Sequence, residues 1–152
     1  MRRLRWGLLV LAVTLPAGWP APAAPAAPAS DAEALVDAAN DARARYGLPP
    51  LRLSAALTSA ATAYGEHLMR KGVFGHAGTL SAPGRFRRLG EALELHPGRA
   101  GHPRRTVNRW LASYSHRVLL LSRGFRYAGA AAVRGSFRGR TSTIWVLRLG
   151  GR

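Results

Sequence analysis

The C-terminal end of the chain imposes the strongest constraint on its fold. Phe125-Arg126-Tyr127-Ala128-Gly129-Ala130-Ala131-Ala132-Val133 and Thr141-Ser142-Thr143-Ile144-Trp145-Val146-Leu147-Arg148-Leu149 flank a glycine-rich turn, the pattern of two strands closing a hairpin. A lone two-stranded ribbon is marginal in water and needs a covering layer. The segments before it read as helices, so the expected class is α+β, an antiparallel sheet covered by helices rather than alternating βαβ units. There is no internal repeat.

The helices can be placed from their ends. Ser30-x-x-Glu33 forms a capping box, after which Leu35, Val36 and Ala39 begin an apolar face. Gly47 ends this helix and Pro49-Pro50 prevents its return. A second helix is predicted from Ser54 to about Gly72, with Leu57, Ala61, Tyr64 and Leu68 on one buried face. A short helical segment is expected around Arg85 to Leu89. Another is predicted from Pro103 to about Tyr114, where Val107, Trp110, Leu111 and Tyr114 fall at i, i+3, i+4 and i+7. Val118 to Leu121 is too short to assign by periodicity. Trp110, Tyr114 and Trp145 are expected in the core.

Residues 1–23 have the three parts of a secretory signal: a basic start at Arg2, Arg3 and Arg5, an apolar stretch from Trp6 to Leu15, and the small-residue pattern Ala21-Pro22-Ala23. The apolar run is too short for a permanent span of a hydrocarbon core about 30 Å thick, so export is expected, with an uncleaved N-terminal anchor as the alternative. Residues 24–30 belong to an Ala/Pro spacer, which should be extended and unpacked. Residues 31–150 form one domain, large enough to fold without covalent staples. With no cysteine, thiol catalysis and thiolate metal sites are excluded.

The formal charge is +16, carried almost wholly by arginine, and no acid follows Glu94. A field of this sign favours anionic partners such as envelope polymers or lipid head groups. Specific nucleic-acid binding is not expected, because no recognition motif accompanies the charge.

Several blocks in order carry a family likeness. Gly47-Leu48-Pro49-Pro50-Leu51 follows the first helix, Phe74-Gly75-His76 follows the second, and Gly90-Glu91-Ala92 comes next. Then come Trp110-Leu111-Ala112-Ser113-Tyr114-Ser115-His116-Arg117-Val118-Leu119-Leu120-Leu121 and the two closing strands. Together they resemble bacterial domains of the CAP superfamily (cysteine-rich secretory, antigen 5 and pathogenesis-related proteins) over about residues 33–149. The resemblance implies a three-layer α-β-α sandwich, secretion or residence in the cell envelope, and a cleft that gathers His76, Glu91 and His116. A second acid is expected in the helix before Trp110. There this chain has Asn108, which weakens general acid/base chemistry. Ala77 and Ala92 also remove polar groups from the implied rim, while Glu94 is a substitute acid.

Two imidazoles and a carboxylate could hold Zn²⁺ or a similar ion, with His76 and His116 as ligands and water at an open position. The competing reading is structural, each histidine bonding a carboxylate or a carbonyl. Their spacing forms no local metal motif. Ser113 and Ser115 lie too close to His116 along the chain for an aligned nucleophile and base, and Ser113 reads as a turn or cap residue. His67, His96 and His102 read as surface or loop histidines. The leading expectation is a non-enzymatic module that binds a small apolar ligand, as sterol and fatty-acid binding in the family implies, or a cell-wall component. The alternatives are a metal-dependent hydrolase at His76, Glu91 and His116, and an anionic-polymer binder working through the Arg-rich half.

Overall fold

The computed structural model describes residues 30–84 and 86–152. The expected signal peptide and all of the spacer except Ser30 lie outside the described residues. Helix α1 (Asp31–Arg45) starts where Ser30 caps it. The Glu33 amide donates to the serine hydroxyl, and the Ser30 amide donates back to the Glu33 carboxylate at 2.8 Å. Strand β1 (Arg52–Leu53) follows, and then α2 (Ala55–Lys71), capped by Ser54 and closed by Gly72 at φ 61°. That left-handed conformation is cheap only without a side chain.

Strand β2 (Arg88–Pro97) leads to α3 (Pro103–Ala112), α4 (Tyr114–Leu120), β3 (Tyr127–Phe137) and β4 (Arg140–Gly151). β3 and β4 pair antiparallel through a two-residue turn in which Arg138 and Gly139 both have positive φ, the geometry that matches strand twist.

The sheet order is β1-β3-β4-β2, and side-chain alternation divides the core into two layers. Ala92, Ala128, Ala130, Trp145, Leu147 and Leu149 face α1, α3 and α4. Leu93, Ala131, Ile144 and Val146 face Ala61 and Leu68 of α2. Both faces are thus covered, β4 is buried from Ser142 to Gly151, and the architecture is a three-layer α-β-α sandwich. Buried Arg43 ties the first layer together by donating to the carbonyls of Pro49, Leu120 and Ser122.

Four expectations change. The segment expected as a short helix around Arg85 to Leu89 enters β2 at Arg88 instead; Arg85 itself lies outside the described residues. β2 lies on ten residues of β4, beginning with Arg88 and Leu89 opposite Gly151 and Gly150, and that ladder outweighs the weak local helix preference of the expected segment. The sheet is mixed, because β1 runs parallel to β3. The helix from Pro103 stops at Ala112, and most of the unassigned Val118–Leu121 stretch belongs to α4. Tyr114, expected in the core, is 75% exposed, whereas Trp110 and Trp145 are fully buried. The break at Ser113 rotates Tyr114 off the apolar stripe of α3.

Candidate functional site

β2 is an edge strand, and the cleft forms where chain from both covering layers reaches around that edge. His76 arrives from the segment after α2, which is held by the Tyr64 hydroxyl donating to the Gly75 carbonyl at 2.8 Å. His116 arrives from the first turn of α4, on the opposite layer. Their ring centroids are 5.9 Å apart with planes at 52°. The pocket between them, about 360 Å³, is also lined by Ala77, Glu91, Ser115 and Leu119.

Glu91 organises this site from beneath. Its Oε1 accepts from His76 Nδ1 at 2.9 Å and from the Ala77 amide at 3.1 Å. An ionised carboxylate can only accept, so this contact uses a proton on Nδ1 and turns Nε2 of His76 away from Glu91. Glu91 Oε2 lies 2.8 Å from Arg148 Nη2, and both side chains are almost wholly buried. The two residues are register partners on β2 and β4, so their side chains share one sheet face. The Arg148 guanidinium also sits 4.8 Å from the Tyr64 ring centroid. Burial, and next the Glu91 charge, raise the Tyr64 phenol above its ordinary value, with Arg148 opposing.

Burial lowers the His116 pKa, the neighbouring His76 lowers it further, and Glu94 opposes both. These influences favour the neutral form of His116, whose ring centroid lies 6.5 Å from that of Trp110. Trp110 in turn donates its indole N–H to the Leu93 carbonyl at 3.0 Å.

The structure gathers His76, Glu91 and His116 but not Asn108. Thr106, Val107 and Trp110 bury their side of α3, and a residue two positions from Trp110 lies roughly 200° around the helix. Asn108 is accordingly exposed and lines a small groove with Ala38, Asp41 and Arg45 of α1. Glu94 is ion-paired with Arg109 at 2.7 Å.

Ser113 joins α3 to α4, and its hydroxyl lies 3.3 Å from that of Ser115. His67 and His102 are exposed as expected. His96 is not a surface histidine: it is 4% exposed, and its Nε2 lies 3.0 Å from the Thr106 hydroxyl. Sequence reasoning missed Arg148 and the cleft role of Tyr64. An arginine inside the apolar run Ile144–Leu149 was the available signal, since a buried cation requires a partner.

A second, larger groove of about 740 Å³ runs between α2 and residues 77–83. Its walls include Ala60, Ala63, Tyr64, Ala82 and Pro83, and it shares Ala77 with the histidine pocket. The Glu91–Arg148 pair lies under the junction, one residue on each pocket.

Residues 36–149 match the model of the cysteine-rich secretory protein family, CAP, and the chain belongs to that family. Solved structures with the same fold include an outer surface protein of Borrelia burgdorferi, 21% identical over 78% of this chain and 90% of that one, with a TM-score of 0.64. An extracellular SCP-domain protein of Bacillus anthracis is 17% identical over 80% of this chain, with a TM-score of 0.66, and this chain spans 40% of its length. Venom allergen-like protein 4 of Schistosoma mansoni is 14% identical over 82% and 90% of the two chains, with a TM-score of 0.60. A search of curated proteins returns no significant match. Although the family is called cysteine-rich, this member has no cysteine. Among the described residues no helix is long and apolar enough to cross a membrane.

Proposed function

We propose that this protein is an exported, non-enzymatic CAP module that binds a small amphiphile, its polar end between His76 and His116 and its apolar body in the groove between α2 and residues 77–83. The signal-like N-terminus and the surface or extracellular descriptions of the Borrelia and Bacillus neighbours support export. The observation that carries the binding reading is the state of Glu91. It is buried, its Oε1 accepts from His76 and Ala77, and its Oε2 faces Arg148 Nη2 as an ion pair without an aligned hydrogen bond. A general base must reach the proton it abstracts, and this carboxylate instead braces the cleft floor. Glu94 is committed to Arg109, and Asn108 faces α1. The adjoining pockets have the size and apolar lining of a ligand site.

Palmitate is a suitable probe, titrated into the purified protein and followed by amide chemical shifts. Binding should perturb residues of both pockets, and Ala63→Trp, which fills the groove from an exposed position, should abolish it. Undiminished binding by Ala63→Trp, or no binding by the parent protein, would overturn the reading.

The hydrolase reading has one observation in its favour: Glu91 holds His76 so that Nε2 is free, the orientation seen when a carboxylate supports a metal-bound histidine. The donor set nonetheless does not fit a resident zinc. Catalytic zinc sites use three protein ligands, whereas Glu91 is taken by Arg148, and the described residues contain no group of three or more His, Asp or Glu side chains placed to hold an ion. Zn²⁺ titration should give equal affinity for the parent and for His76→Ala/His116→Ala. A tight site lost in the double variant would restore the metal reading.

A further inference from the structure

The strongest electrostatic feature of the molecule lies outside the cleft. Arg52, Arg87, Arg88, Arg123, Arg126 and Arg152 come from four separate stretches of the chain, and the sheet brings them to one end. The Arg52 amide donates to the Arg126 carbonyl at 2.9 Å, the Arg126 amide to Gly150 at 3.0 Å and the Arg87 amide to Gly151 at 2.9 Å. Arg88 is the register partner of Gly151, next to Arg152, and its guanidinium lies against Gly124, next to Arg123. All six are exposed.

Among the described residues none of them is ion-paired with an acid. The ion pairs that do form take up other arginines, namely Arg104, Arg109, Arg134 and Arg148. Two of the six are also held in place. Arg126 donates to the carbonyls of Arg123 and Phe125, and Arg152 stacks 4.8 Å from the Tyr127 ring centroid. The crowding is felt in the interior: burial, then the charges of Arg126 and Arg123, lower the pKa of Arg43.

Unpaired like charges held together raise the energy of the free protein and are relieved by a multivalent anion. Guanidinium groups anchored by carbonyls and an aromatic ring are already oriented to take phosphate or carboxylate oxygens as bidentate acceptors. From this juxtaposition we infer that the sheet end formed by Arg52, Arg87, Arg88, Arg123, Arg126 and Arg152 is a docking site for a flexible anionic polymer bearing repeated phosphate groups.

The site shares no residue with the cleft and does not depend on the amphiphile reading. It also differs from a general attraction by the Arg-rich C-terminal half, since Arg52, Arg87 and Arg88 come from earlier in the chain and four of the twelve arginines after Glu94 are ion-paired. A lipid surface is the rival partner. Among the described residues, the exposed large apolar side chains beside Arg52 and in the chain leading to it are Leu53 of β1 and Tyr46 after α1, few for insertion into a bilayer.

The test uses long-chain linear polyphosphate, phosphatidylglycerol vesicles, single-stranded oligonucleotide and two variants of the full chain. One variant carries Arg87→Gln, Arg88→Gln, Arg123→Gln and Arg152→Gln. The other removes equal charge elsewhere at exposed, unpaired positions through Arg70→Gln, Arg99→Gln, Arg105→Gln and Arg140→Gln. The first should weaken polyphosphate binding by about tenfold or more and flatten the dependence of log affinity on log salt by about two to three. The second should change affinity by less than about threefold. Unchanged far-UV circular dichroism in both confirms folding. Equal losses in the two variants would mean that net charge alone binds, and stronger binding of the vesicles or the oligonucleotide than of polyphosphate would also overturn the assignment.

Discussion

The cleft beneath the β2 edge and the arginine end of the sheet treat charge in opposite ways. In the cleft, the ionised groups Glu91 and Arg148 lie almost wholly buried and face each other. At the sheet end six guanidinium groups are exposed, and among the described residues no acid pairs with them. The difference follows from solvent: a buried charge without a partner costs several kcal/mol, whereas an exposed one is hydrated and screened. Substitutions in the cleft should therefore be read in stability, and substitutions at the sheet end in binding.

The most direct way to break this contrast is Glu91→Ala. It strands Arg148 in the core, and the loss in unfolding free energy should be about 3–5 kcal/mol, as for other broken buried pairs, measured by chemical denaturation. A loss below about 1 kcal/mol, the range of surface pairs, would mean that Arg148 reaches solvent. A smaller effect is expected at the cleft wall. A Cβ at residue 90 would lie 2.6 Å from Leu119 Cδ1 and 2.9 Å from Phe125 Cζ, so Gly90→Ala should cost about 1–3 kcal/mol by overpacking. It should also shift the His116 resonances as α4 moves. An unshifted His116 would show that α4 does not rest on β2 there.

The smallest effect sharpens the comparison through pH. Burial lowers the His96 pKa; Glu94 opposes this, while Arg109, Arg105 and His102 add to it. A depressed histidine is held neutral in the fold, so its contribution is complete above its ordinary value of about 6.5 and is lost as pH falls through that value toward the folded-state one. Unfolding free energy should decline between about pH 7.5 and about pH 5.5, and His96→Gln should make that decline shallower. A decline unchanged by His96→Gln would assign it to His116, whose pKa is lowered by burial and by His76.

What was legible follows from the range of each signal. The caps at Ser30 and Ser54 and the stops at Gly47 and Gly72 are written in residues that touch within one turn, so local chemistry suffices. The start of β2 reads locally as part of a short helix around Arg85 to Leu89 and the rest has no assignment from sequence, because the segment carries no local strand pattern and becomes a strand only against β4. The site was half legible. The family blocks brought His76, Glu91 and His116 together, but Asn108 was assigned by block position, whereas the burial of Trp110 turns it toward α1. His96 looked like a loop histidine because nothing near it in sequence reveals that Thr106 will cover it.

By itself the sequence determined the first two helices with their caps, a closing hairpin, the absence of cysteine and a strongly basic composition. These depend on contacts between near neighbours or on composition. Only the tertiary structure decided that Glu91 would face Arg148, that two histidines from opposite layers would meet around an edge strand, and that scattered arginines would share one end of the sheet. Strand pairing joins residues tens of positions apart, and the face on which each side chain lands depends on a register that no local pattern encodes.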